Sequence, residues 1–310
     1  EQVSSYINDI WATNISEISE ARKIPVSSLN LIADSLTVMR SAQLMVDKKL
    51  ADTLMYETDV QKLLASYLSK DDFKDINKAY PSDFRDIKFK EKPDGKDKIA
   101  VLYAEGGIST GNNSNEIYDR YYVKELEKLK NDNDIKAVVF RINSGGGSAY
   151  ASEQIWQAVN ELSEVKPVIV SMGTYAASGG SYISCGADAI VAEPTTLTGS
   201  IGIFGLIPNG EGLAEKMGLT FDEVGTNKFS TFGGAGFGIP FILSAYSRGL
   251  TEEESSLMQN YIEKGYDQFI SRCADGRDMT KEEIDAIGQG RVWTGAQALE
   301  IGLVDQLGGV

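Results

Sequence analysis

Ala137-Val138-Val139-Phe140-Arg141-Ile142 is an apolar, β-branched run without alternation, and it ends in a glycine turn that leads into a helical pattern. Such a run suits a strand buried on both faces. A strand over 99–103 and a charged helix over 121–130 precede it, and a helix over 151–163 and a strand over 167–171 follow. Strand, helix, strand, helix in succession needs crossover connections, so the pattern predicts an α/β fold: a largely parallel sheet with outer helices. Beyond it come a short apolar run at 189–192, a glycine-rich stretch, the segment 219–224, and a C-terminal helical region. Thr251 and Glu254 open that region at capping-box spacing.

The chain also matches itself, which changes the domain count. Tyr6-Ile7 pairs with Tyr261-Ile262, and the same offset of 255 residues carries Arg22 to Arg277, Leu29 to Ile284 and Ile32 to Ile287. At an offset of 253, Leu50-Ala51-Asp52-Thr53-Leu54 pairs with Leu303-Val304-Asp305-Gln306-Leu307. Chance likeness between two acidic amphipathic segments is the plain alternative. Read as a repeat, residues 1–70 are the helical tail of an otherwise missing first copy. Residues 71–97, charged and broken by Pro81, Pro93 and Gly95, are a linker, and 98–310 are a complete second copy. The start at Glu1 without methionine fits a piece of a longer chain.

Charge and residue types narrow the chemistry. With 45 acidic against 30 basic residues the net charge is −15, and no long basic run offers a nucleic-acid surface. The absence of histidine removes Ser-His-Asp and Cys-His catalysis and every His-ligated metal site. Cys185 and Cys273 match no metal or redox spacing, which argues against a disulfide framework. Neither a metal nor a cofactor is called for. No apolar stretch of membrane-spanning length is present.

Three clusters could carry chemistry. Gly145-Gly146-Gly147 follows a strand and precedes a helix, so its amides can face a cavity as an oxyanion hole; a simple tight turn is the other reading. Ser178, in Ala176-Ala177-Ser178-Gly179-Gly180, sits after a strand among small neighbours. There it can be a nucleophile beside the Gly179 amide, or a helix cap. A serine needs a base, and Lys228 between Asn227 and Phe229 is a candidate. A lysine accepts a proton near neutral pH once its pKa falls by about 3 units, which costs ~4 kcal/mol and which burial can supply. A solvated surface lysine is the bland alternative.

Taken together, Asn143-Ser144-Gly145-Gly146-Gly147-Ser148, Ser171-Met172-Gly173-Thr174-Tyr175-Ala176-Ala177-Ser178-Gly179-Gly180, Leu197-Thr198-Gly199-Ser200-Ile201-Gly202 and Val292-Trp293-Thr294-Gly295 resemble the SppA (protease IV) family of signal peptide peptidases. The likeness is strong over 99–310 and weak over 1–70. It implies a ClpP/crotonase-like fold and a Ser/Lys dyad endopeptidase acting on cleaved signal peptides and other extended apolar peptides. Ser178 would be the nucleophile, with Gly179 and either Gly146 or Gly147 holding the oxyanion, and Ser200 orienting the lysine. It also implies a homo-oligomer and an N-terminal anchor in the cytoplasmic membrane, with the site on the outer side. Gly145 departs from the family, which usually has proline there. In tandem members the working lysine comes from the first half, and in half-length members a lysine placed like Lys228 serves a neighbouring subunit. Two other classes stay open: a crotonase-like acyl-CoA enzyme, for whose phosphates no basic cluster is visible, and a non-catalytic oligomer-forming half.

Overall fold

The computed structural model describes residues 2–35, 42–80, 97–234, 236–239 and 242–309. Most of the expected linker, residues 81–96, lies outside the described residues. Two compact units emerge, Ile7–Lys96 and Asp97–Val310 together with Glu1–Tyr6.

The smaller unit is built from helix α1 (Gln2–Arg22) from Ile7 onward and from helices α2 (Val26–Asp34), α3 (Ala42–Asp47) and α4 (Glu57–Tyr67). Its small core holds Ile15, Ile24 and Leu29, with Ile32 and Leu50 packed against them. Arg22, at the end of α1, donates to the Lys49 carbonyl at 2.8 Å and grips Asp52 with both terminal nitrogens.

The larger unit runs β1 (Lys98–Glu105), β2 (Ile108–Ser109), β3 (Ile117–Tyr118), α5 (Asp119–Asn131), β4 (Ile135–Ser144), α6 (Ala149–Ser163), β5 (Val168–Ala177), α7 (Gly179–Ser184), β6 (Ala189–Ala192) and β7 (Leu197–Gly199). Then follow α8 (Glu211–Lys216), β8 (Gly236–Ile239), β9 (Ile242–Tyr246), α9 (Glu252–Arg277), α10 (Lys281–Ile287), β10 (Val292–Thr294), α11 (Gly295–Glu300) and β11 (Gln306–Leu307). The main sheet has the order β1-β4-β5-β6-β11, every pair parallel. β7 continues it beside the far end of β5, and β10 joins β7 antiparallel. This is the largely parallel layer with flanking helices that the alternation of strands and helices predicts. Segment 219–224 carries neither helix nor strand.

β4 differs from the expectation of burial on both faces. Val138, Phe140 and Ile142 are sealed, whereas Ala137, Val139 and Arg141 are half-buried. The sealed side chains join Ile155, Leu162, Ile183 and Phe269 from the helices in one core, and the opposite face is less covered. An unbroken apolar run marks a strand without reporting how completely its second face is covered.

Helix starts follow local chemistry. Thr251 and Glu254 form the capping box read from their spacing, and Thr280 with Glu283 and Thr294 with Gln297 form two more. Such a cap is worth ~1 kcal/mol. At the end of α9, Arg277 donates to the Gly302 carbonyl at 3.0 Å and grips Asp305 with both terminal nitrogens. Ile270, Ile284 and Leu303 are buried around it, with Met279 and Ile287 packed against them.

Candidate active site

The site is assembled where β4 and β5 end. Between Ile142 and Ser144 the pairing of β4 with β5 shifts register. Asn143 bridges the shift, its side-chain oxygen accepting the Tyr175 amide at 3.1 Å. The Ser144 hydroxyl donates to the Gly106 carbonyl at 2.7 Å and accepts the Gly146 amide at 3.1 Å. The polar residues of this motif thus hold the glycine turn in shape.

Gly147 forms a parallel bridge with Ile108, in which Ile108 donates to the Gly146 carbonyl at 3.0 Å and Ser148 donates to the Ile108 carbonyl at 2.8 Å. The neighbours make both bonds, so the Gly147 amide faces away from Ile108 and is bonded to none of the described residues. Gly146 has φ +99°, and a Cβ there would lie 2.6 Å from the Gly179 nitrogen and 2.8 Å from the Ser178 Cβ. No other residue lets the turn and Ser178 come so close. At Gly145 nothing lies within 4 Å of an added Cβ and φ is not positive, so the departure from proline leaves the turn intact.

Ser178 joins β5 to α7 with φ 52° and ψ −117°, a conformation that costs a non-glycine residue ~1–3 kcal/mol. Two bonds hold it there: its amide donates to the Gly199 carbonyl at 2.9 Å, and its carbonyl accepts the Tyr182 amide at 2.9 Å. Behind it the buried Ser181 hydroxyl bonds the Ala176 and Gly199 carbonyls, both at 2.8 Å. The pairing of Ala177 with Gly199 sets Ser178 next to Ser200, which also has positive φ, 48°. The Gly179 amide, first in α7, has no partner among the described residues.

Ser178, Ser200, Gly146 and Gly147 line one open cavity of ≈ 820 Å³. Its remaining wall includes Ile203 and Phe204, and one face of α9 carrying Gln259, Ile262, Glu263 and Tyr266. The α9 residues recur at helical spacing, but sequence alone cannot say what a helix face covers, and that wall was not foreseen. Burial, then the hydrogen bond to Asp285 at 2.6 Å, pushes the Tyr266 phenol up, so it stays protonated.

Of the expected site residues, the structure brings together Ser178, Ser200, Gly146, Gly147 and Gly179. The Gly146 amide is committed to Ser144, which leaves Gly147 and Gly179 as the pair with free amides. Lys228 is not brought in. Its side chain is 67% exposed, its ammonium is bonded to Glu253 at 2.6 Å, and no lysine is among the described residues lining the cavity.

α7 is anchored from behind. The Tyr182 hydroxyl donates to Glu153 at 2.6 Å, and Arg272, stacked on Trp156, donates to the same carboxylate at 2.6 Å. Burial pushes the Tyr182 phenol up, with Glu153 adding to it. Burial raises Glu153 too, but Arg272 and Tyr182 outweigh it and hold that carboxyl below its usual range.

A strained serine thus stands beside two amides that have no partner among the described residues, at the end of a parallel layer. Comparison with known proteins gives the family. Residues 160–310 match the model of peptidase family S49, and residues 90–195 that of Clp protease. A putative protease from Synechocystis is 36% identical over 217 residues, 70% of this chain and 72% of that protein. The chain belongs to peptidase family S49. Protease 4 of Salmonella typhi is 36% identical across 99% of this chain and 49% of its own length, and Protease 4 of Haemophilus influenzae 42% identical across 68% and 33%. The chain therefore spans half or less of these two relatives.

Proposed function

We propose that this chain is the nucleophile-bearing half of a serine endopeptidase that cleaves extended apolar peptides, spent signal peptides among them. The observation that carries the reading is Ser178, strained and open to a cavity between the unpartnered amides of Gly147 and Gly179. A neutral lysine amine takes the Ser178 proton as its oxygen attacks the peptide carbonyl, and Ser200 orients that amine. The two amides receive the oxyanion, worth ~2.7–4 kcal/mol per donor. The protonated lysine releases the leaving amine, and a water activated by the neutral amine hydrolyses the acyl-enzyme. Ile203, Phe204 and Ile262 suit apolar side chains.

The lysine, in this reading, comes from the first repeat of a longer protein. Support comes from the two matching arrangements: Arg22 with Lys49 and Asp52 recurs as Arg277 with Gly302 and Asp305. The apolar set Ile15, Ile24, Leu29, Ile32 and Leu50 recurs as Ile270, Met279, Ile284, Ile287 and Leu303. Lys23 and Asp278, at equivalent positions, both take positive φ, 55° and 52°. Ile7 and Trp11 of α1 are half exposed, while their counterparts Ile262 and Tyr266 line the cavity. That α1 face suits a first-copy layer.

A homo-oligomer at the outer side of the cytoplasmic membrane belongs to the same proposal. Among the described residues no helix is long and apolar enough to cross a membrane. The test is cleavage of a signal-peptide substrate by the full-length protein. Ser178→Ala should abolish it and Lys228→Ala should leave it intact. Full turnover by Ser178→Ala would remove Ser178 from its role, and collapse in Lys228→Ala would move the base to a neighbouring subunit's Lys228.

A further inference from the structure

The mechanism leaves unused two nucleophilic groups that the fold has brought together from distant parts of the chain. Cys185 caps the C-terminus of α7, and Cys273 lies in α9. Both are free and both are buried, at 3% and 2% exposure. The helices meet closely here. Tyr182 of α7 packs on Phe269 of α9 with ring centroids 4.5 Å apart, and one turn beyond Cys273 the backbone of α9 presses on the Cys185 carbonyl at Gly276, where a Cβ would collide. Cys273 and Gly276 stand three residues apart on one helix face, so Cys273 is turned toward Cys185, whose thiol lies near enough to raise the Cys273 thiol. Cys185 Sγ also donates to the Tyr182 carbonyl at 3.1 Å.

We infer that Cys185 and Cys273 are a disulfide-forming pair, closed when the chain folds in the presence of a disulfide donor and left open when it folds under reducing conditions. The donor is a small-molecule disulfide or a protein that carries one. One cysteine thiolate attacks it, forming a mixed disulfide and expelling one thiol. The second cysteine displaces the other, so two thiols lose two protons and two electrons, one S–S bond forms, and the donor is reduced to two thiols. The neighbouring Cys185 thiol, and then burial, raise the Cys273 thiol well above its ordinary range, so the thiolate is scarce once packing is complete. Exchange is therefore fast during folding and slow afterwards, and the finished protein keeps whichever state it acquired. The bond ties the C-terminal end of α7, the helix that Ser178 leads into, to the helix that walls the cavity.

The test is refolding of the protein from guanidinium with excess oxidised or reduced glutathione, followed by alkylation and peptide mapping. The oxidised arm should yield the Cys185 and Cys273 peptides joined within one chain. Its melting temperature should exceed the reduced arm's by about 5–10 °C, the gain expected for a link closing a long loop. Cys273→Ala and Cys185→Ala should each remove the difference. Two singly alkylated cysteines in the oxidised arm, a link between chains, or equal melting temperatures would overturn the inference. None of these outcomes depends on peptidase activity.

Discussion

Adding a single methyl group at Gly146 should damage the protein in two separable ways. An alanine there must adopt φ +99°, which costs ~1–3 kcal/mol. Its Cβ would also lie 2.6 Å from the Gly179 nitrogen and 3.0 Å from the Ala177 carbonyl, and neither is a flexible side-chain end. Relieving that overlap needs a backbone shift of about 1–3 kcal/mol. Gly146→Ala should therefore lose about 2–6 kcal/mol, a fall of roughly 5–20 °C in melting temperature for a unit of this size. The shift carries the Gly179 amide and Ser178 away from their positions, so labelling of the full-length protein by a fluorophosphonate should slow by ~10²–10³, the usual loss for a misplaced oxyanion donor. Gly145→Ala is the control, because an added Cβ there meets nothing within 4 Å. It should be neutral or gain up to ~1 kcal/mol from reduced unfolded-chain freedom. If Gly146→Ala melts and labels like Gly145→Ala, the close approach of the turn to Ser178 is wrong.

Two further outcomes concern the ion pairs. Arg277→Met should destabilise by about 1–3 kcal/mol in a denaturant titration, the figure held down by solvent screening at Asp305, which is 41% exposed. Arg22→Met, whose partner Asp52 is 86% exposed, should lose less, and equal losses would count against burial as the cause. The Glu254 carboxyl, held by Arg248 and the Thr251 amide, is lowered to about 2. Its contribution to stability is complete above the ordinary carboxylate range and disappears as pH falls through about 2. Acid unfolding of Glu254→Gln should therefore be flatter than wild type between roughly pH 4.5 and 2, and superimposable curves would refute that.

Much of the site was legible because its chemistry is local. Asn143, Ser144 and the glycines form a continuous motif whose hydrogen bonds close within a few residues, and Ser178 with Gly179 needs only the next turn of chain. The alternating strands and helices likewise announced a parallel sheet. The Lys228 pairing was not legible, since a lysine beside aromatic residues reads alike whether it is dried by a pocket or, as here, held by Glu253 in solvent.

The order of residues alone determined the strand-turn-helix units, the capping boxes, the small-residue turns and the absence of any histidine base, because each depends on neighbours within a few positions. Only the tertiary structure decided that Ser200 stands next to Ser178, that α9 walls the cavity, that the Gly146 amide is already taken, and that Cys185 meets Cys273. Those facts depend on which faces pack together, and packing joins residues whose separation along the chain carries no trace of the contact.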